Sequence, residues 1–246
     1  MKKFRVTVTL MILLGSNVMI ARAQTELKDP VEILKKADAA CKENKAVSYE
    51  ASFKGLGVDE NRAPTATGTV ILSGTKNQEP AKFRVTAKIQ KPGSSDILEI
   101  TATSDEDKFA LLDVQAKKVY EDIDSQVFGS YRNGIRALTM RELILAEAYA
   151  DEIKGEKQEL KEPAKIKDED CYQVYVKYGP NQEANWFFSK KDFLPRKVER
   201  NFTNRSGEKG GSELTIFNLN TAPKMDASTF KLIVPEGFTK TDDFAP

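Results

Sequence analysis

The stretch from Ala184 to Phe202, ANWFFSKKDFLPRKVERNF, decides how the rest of the chain is read. Trp186, Phe187 and Phe188 run into a polar break at Ser189–Asp192. Leu194–Pro195 follows, and after it a second run rich in alternating side chains. Two strand-like arms around a polar break predict a β-hairpin. Successive side chains of a strand point to opposite faces, so Trp186 and Phe188 share one face and Phe187 takes the other. A strand with large aromatics on both faces needs cover on both. Trp186 is the only tryptophan of the chain. Two roles are open to it: core packing under a helix, or the wall of an apolar ligand cavity.

The same period of two extends outward. Val47, Tyr49, Ala51 and Phe53 alternate with Ser48, Glu50, Ser52 and Lys54. Phe83 to Ile89 and Leu98 to Ala102 repeat the pattern. Weaker strand signals lie at 67–72, 109–114 and 118–123, and stronger ones at 171–178 and 213–220. Short polar breaks separate these runs, as in an antiparallel meander. The charged stretch 155–169 reads as a connection, and 204–211, polar and glycine-rich, as a long hairpin tip. Residues 225–230 read as a turn or short helix. Phe230, Leu232 and Val234 make a last extended step that Pro235-Glu236-Gly237 stops.

Two helices are predicted. Asp29-Pro30-Val31-Glu32 combines a capping residue, a proline at the first helical position and an acidic first turn. Ile33, Leu34, Ala37, Ala40 and Cys41 then recur at helical spacing. Thr139-Met140-Arg141-Glu142 is a capping box flanked by Leu138 and Leu143, which predicts a second helix running to about Ile153. No linker or internal repeat divides the chain. The expected architecture is α+β and mainly antiparallel: one domain over 24–246, with roughly ten strands in one large curved sheet whose concave face the helices cover.

The chain opens with Lys2, Lys3 and Arg5, a largely apolar run from Val6 to Ile20, and Ala21-Arg22-Ala23. This is the pattern of a secretory signal cleaved after Ala23. It predicts a periplasmic protein that starts at Gln24. The signal holds four of the 38 Lys+Arg and none of the 37 Asp+Glu, so the mature chain carries 34 against 37, a net of −3. That balance excludes an electrostatic case for nucleic acid as partner. In an oxidising compartment Cys41 and Cys171 are permitted to bridge; two buried thiols is the other reading.

Several chemistries are excluded. The chain has no histidine, which removes Ser–His and Cys–His nucleophile pairs and the commonest metal ligand. Its two cysteines are too few and too far apart for a zinc pattern, and no C-x-x-C occurs. Gly55-Leu-Gly57 lacks the third glycine of a dinucleotide loop. The acidic triplets at 105–107 and 168–170 fall between strands and read as solvated turns. No catalytic residue, metal site or cofactor is expected. What remains is apolar surface, and the candidate cavity lining is Phe53, Phe83, Phe109, Trp186, Phe188 and Ile216.

With these residues in view the sequence resembles the LolA-like family, periplasmic carriers of outer-membrane lipoproteins. The family's hairpin takes the form W-x-[hydrophobic]-D-x-x-x-x-L-P. Trp186, Leu194 and Pro195 stand in those places, Val198 follows on the outgoing strand, and Ser189 replaces the acidic residue. The closing stretch LTIFNLNTAPKMDASTFKLIVPEGF is similar to the family's end, with Asp226, Phe230, Pro235 and Gly237 in place. The resemblance implies an unclosed barrel of about eleven antiparallel strands with helices as a lid over an apolar cavity. It also implies a carrier of acyl chains, lipid or lipoprotein, monomeric and not an enzyme. The superfamily's stress-sensing members imply the alternative, an envelope interaction or sensory module without lipid cargo.

Overall fold

The computed structural model describes residues 26–106, 108–121 and 129–241. The signal segment, its cleavage point, Asp107 and the end of the strand signal at 118–123 lie outside them. Helix α1 spans Pro30–Lys42 and is followed by strands β1 (Ala46–Gly57), β2 (Thr65–Lys76), β3 (Glu79–Gln90), β4 (Ile97–Asp105), β5 (Phe109–Asp113) and β6 (Lys118–Glu121). A helical segment comes next: α2 (Gly129–Leu138), a 3₁₀ turn (Arg141–Ile144) and α3 (Ala150–Ile153). The chain then returns to strands β7 (Lys157–Ile166), β8 (Glu169–Gly179), β9 (Gln182–Ser189), β10 (Pro195–Thr203), β11 (Lys209–Asn220) and β12 (Thr239–Thr241).

These twelve strands form one sheet in the order β12-β6-β5-β4-β3-β2-β1-β11-β10-β9-β8-β7. Every neighbouring pair is antiparallel except β12 with β6, which is parallel. The two ends of the sheet, β12 and β7, do not meet, so the barrel stays unclosed. The pairing of β1 with β11 joins the first meander to the last one. It sets Phe53 opposite Leu214 and Ala51 opposite Ile216.

The opening hairpin forms with Trp186 opposite Val198 and Phe188 opposite Pro195. Its turn is closed by Ser189 N–H donating to Leu194 O at 3.0 Å and Phe193 N–H donating to Ser189 O at 2.9 Å. Ser189 also accepts Lys191 N–H on its hydroxyl at 3.2 Å. Asp192 carries an ionic contact of the turn. Its carboxylate receives Arg196 Nη2 at 2.7 Å, and Glu169 receives Arg196 Nε at 2.9 Å. Phe187 faces away from the core and finds its cover in the stem and ammonium of Lys197, 4.9 Å above its ring.

Helix α1 begins where predicted, with Asp29 accepting Val31 N–H at 2.9 Å and burying Ile33, Leu34, Ala37 and Cys41. The predicted helix from Thr139 to Ile153 is instead a broken path. Tyr49 from β1 ends it: its hydroxyl accepts Met140 N–H at 2.8 Å and donates to Leu138 O at 3.3 Å. With that backbone taken up, Met140, Leu143, Ile144, Leu145 and Tyr149 are all buried, more directions than one helix face covers. Helix α2, which the sequence reading placed in no element, approaches β3 so closely that a Cβ on Gly134 would lie 2.2 Å from Ile89 Cδ1. Strand β7, read as a charged connection, is an edge. Its lysines and glutamates face water, and Pro163 sits inside the register shift between Lys161 and Ala164. Cys41 and Cys171 are buried free thiols, so no bridge links α1 to β8.

Candidate functional site

The six candidate lining residues separate into three groups. Trp186, Phe188 and Ile216 are at most 1% exposed and belong to the packed core between sheet and helices, not to a cavity wall. Tyr149 is the reason. It enters from the segment before α3, meeting Trp186 edge-on at 5.0 Å and Phe188 edge-on at 5.1 Å. Trp186 and Phe188 stack on one another at 6.0 Å. Between Tyr149 and β9 the concave side is occupied by the chain's own rings. Phe83 and Phe109 form a second edge-on pair at 5.6 Å on the rim of the core. Phe53, half-buried on β1, borders open space.

That space lies at one end of the concave face. A cavity of about 500 Å³ is bounded by Phe53 and Leu214 from the paired strands β1 and β11, by Ala63 and Pro64 from the β1–β2 loop, and by Ala137 from α2. Its polar edge is Asp59, Arg62, Arg136, Thr139 and Arg200. The loop over it is positioned by its base. Gly57 has φ +57°, and a Cβ there would lie 2.3 Å from Lys209 O. Val58 N–H then donates to the same carbonyl at 3.1 Å, and Asp59 O receives Arg62 N–H at 3.0 Å and Ala63 N–H at 2.8 Å. The glycine lets two chains touch where any other residue would hold them apart.

Asp59, Ala63, Arg136, Thr139 and Arg200 also border a larger cleft of about 1140 Å³. Charged residues crowd its wall, and two ion pairs cross it. Arg141 donates to Glu79 at 3.0 Å, and Arg200 Nη2 donates to Glu142 Oε1 at 2.9 Å. The Arg200 guanidinium lies 5.2 Å from the Trp186 ring centre. From there a chain of hydrogen bonds runs inward. Trp186 Nε1–H donates to the Tyr178 hydroxyl at 3.2 Å, and that hydroxyl donates to Glu152 Oε1 at 2.9 Å. Burial raises the Glu152 carboxyl above its usual 4.5, against the Tyr178 hydrogen bond that lowers it. Burial, then the Glu152 charge, pushes the Tyr178 phenol up in turn.

Two atoms stand out inside this network. Among the described residues, Glu142 Oε2 and the Tyr149 hydroxyl are buried without a hydrogen-bond partner. Burial holds the Tyr149 phenol well above its usual range, with the Cys41 thiol and Glu142 beside it adding to the effect. The ionic groups of the cleft had one signal in the sequence. Arg200 is in phase with Val198 and Phe202, so the hairpin alternation already aimed a charge at the concave side. Glu142 had the opposite reading, as a capping side chain. Arg62, Arg136 and Asp59 carried no periodic signal at all.

No protein-family model and no curated protein sequence matches the chain. Solved structures do. LprF from Mycobacterium bovis aligns with a TM-score of 0.53 at 10% identity, over 87% of this chain and 100% of that one. The lipoprotein LppX of Mycobacterium tuberculosis aligns at 0.46 and 10% identity, over 80% of this chain and 97% of its own. A LolA superfamily protein from Nitrosomonas europaea aligns at 0.35 and 12% identity, over 84% and 99% respectively. At these identities the likeness is one of backbone path. In fold, the chain is an unclosed antiparallel half-barrel similar to that of LprF.

Proposed function

We propose that the protein is a non-catalytic, monomeric periplasmic carrier that holds a hydrophobic ligand, an acyl chain, lipid or lipoprotein anchor, at the end of its half-barrel. The observation that carries this reading is the cavity bounded by Phe53 and Leu214, where half-buried Phe53 on β1 borders open space. Its volume of about 500 Å³ falls in the range of small-molecule sites. Burial of each CH₂ there contributes roughly 0.8 kcal/mol, so micromolar affinity takes about ten buried methylenes even before the cost of association. The half-barrel architecture supports a carrier; the filled centre, with Tyr149 over Trp186 and Phe188, moves the ligand from the middle of the hollow to its end.

The same filled centre favours a second reading, an envelope interaction module without lipid. Exposed apolar residues stand outside the core, Ile233 at 78% and Ile97 at 51% among them. Native mass spectrometry of protein purified from its own envelope separates the two. A co-purifying acyl species, lost on replacing Phe53 by Asp, is the expected result. A clean apo mass together with a stoichiometric protein partner overturns the carrier reading in favour of the second.

A further inference from the structure

Some arginines among the described residues are held by carboxylates and others are not; Arg84, for one, donates to the backbone carbonyls of Thr229 and Lys231. Arg141 pairs with Glu79 at 3.0 Å, Arg196 with Asp192 at 2.7 Å, and Arg200 with Glu142 at 2.9 Å. Arg62 and Arg136 pair with no carboxylate among the described residues, although both border a cavity whose other walls are Phe53, Pro64, Ala137 and Leu214. Both side chains are exposed, so each keeps the freedom to turn toward a guest. Arg200, the third guanidinium of that edge, is held by Glu142 and the Trp186 ring and adds fixed positive charge. Against the three stands one carboxylate of the cavity, Asp59.

We propose that this cavity is a site for an anionic single-chain amphiphile, with the alkyl chain against Phe53 and Leu214 and a carboxylate or phosphate head between Arg62 and Arg136. The proposal rests on the carrier reading above and names the head group that reading leaves open. The chemistry follows from the two walls. Alkyl carbons gain by leaving water on the Phe53 side. A guanidinium offers a planar fork of donors that matches a carboxylate or phosphate with two parallel hydrogen bonds. The two arginines come from different elements, the β1–β2 loop and α2. An anion held by both would therefore tie the loop to the helix across the cavity mouth. A neutral or cationic head would leave both guanidiniums uncompensated beside an apolar wall.

Calorimetric titration of the purified protein with dodecanoate, dodecyl phosphate and neutral dodecyl maltoside, each below its micelle concentration, tests this. The expected result is that both anions bind at least about tenfold more tightly than the maltoside, the scale of one charge-assisted hydrogen bond. The double variant Arg62→Gln/Arg136→Gln should lose that advantage while its affinity for the maltoside is unchanged. Stronger binding of the phosphate than of the carboxylate points to a phospholipid-type head, and the reverse to a free fatty acid. Equal binding of anionic and neutral chains, or an advantage that survives in the double variant, overturns the head-group assignment and leaves the carrier reading standing. Failure of all three amphiphiles to bind overturns both. If the double variant does not fold, wild type alone decides. Dodecanoate affinity must fall as salt rises while maltoside affinity does not, and a salt-independent dodecanoate affinity refutes the proposal.

Discussion

At the scale of the residue, Trp186 shows how a side chain is committed by its neighbours. Its ring is flanked by Tyr149 and Phe188 and faced by the Arg200 guanidinium, and its one donor is used by Tyr178. Trp186→Ala is expected to destabilise the fold by about 3–5 kcal/mol in urea unfolding, because the void cannot collapse against stacked rings. Tyr149 is a different case. Its ring is needed, but its buried hydroxyl lacks a partner. Tyr149→Phe should therefore keep the packing and raise stability by about 1 kcal/mol, read as a higher urea midpoint at an unchanged m-value. A loss of stability would show that the hydroxyl is satisfied after all. The cysteines extend the point. Burial pushes Cys171 up to about 11 and Cys41 higher still, so neither is a thiolate at neutral pH. A thiol reagent such as DTNB should titrate neither cysteine in the native protein and both once it is unfolded. Fast native labelling would contradict this burial.

At the scale of the element, α2 and β7 show why local patterns missed two pieces of regular structure. Helix α2 carries Gly129 and Gly134, residues that weaken a helix by roughly 1 kcal/mol each relative to alanine. At Gly134 that weakness is offset by contact, since the missing Cβ is what lets the helix reach Ile89. Gly134→Ala sets the two effects against each other. The 2.2 Å overlap with Ile89 Cδ1 should win, costing about 1–3 kcal/mol net. In an Ile89→Val background, which removes that atom and leaves Cγ1 at 2.9 Å, the cost of the same change should fall. A double-mutant cycle in urea measures the coupling, and additive effects would mean that the helix simply shifts aside. Strand β7 has almost no apolar alternation because it pairs on one side only. Its solvent-facing lysines and Pro163 keep a further strand from adding to that edge.

At the scale of the whole molecule, Glu152 in the cleft and Glu213 outside it set a pH dependence with two opposed arms. Glu152, raised above 4.5 mainly by burial, contributes stability that is fully present below 4.5 and is lost as pH rises through its elevated native value. Glu213 runs the other way. Burial opposes ionisation there, but Lys197 and Lys54 hold its carboxyl below 4.5, so its contribution is present at neutral pH and is lost on acidification. Glu152→Gln removes the first arm alone. The urea midpoint of the variant should gain on that of wild type as pH rises from 4.5 toward neutrality, and the two profiles should run parallel in acid, where the carboxyl is protonated in both states. Parallel profiles at every pH would mean that Glu152 titrates alike in the folded and unfolded protein.

Much was legible locally because strands and hairpins write themselves in neighbouring residues. The period of two around Phe53, Phe83, Trp186 and Val198, the turn at Ser189–Asp192 and the start of α1 at Asp29–Pro30 were set by side-chain alternation and by backbone chemistry within a few positions. By itself the sequence determined an antiparallel sheet with a helical cover and the hairpin around Ser189–Asp192. The tertiary structure decided where that sheet is hollow. The pairing of β1 with β11, the break imposed on the helical segment by the Tyr49 hydroxyl and the arrival of Tyr149 over Trp186 all join residues far apart in the chain. Close packing leaves room in only a few places, and which side chains fill the centre and which are left facing open space depends on the sum of those distant contacts. That is why the wall of the cavity fell to Phe53 and Leu214, with Arg62 and Arg136 at its mouth, and not to the tryptophan that first drew the eye.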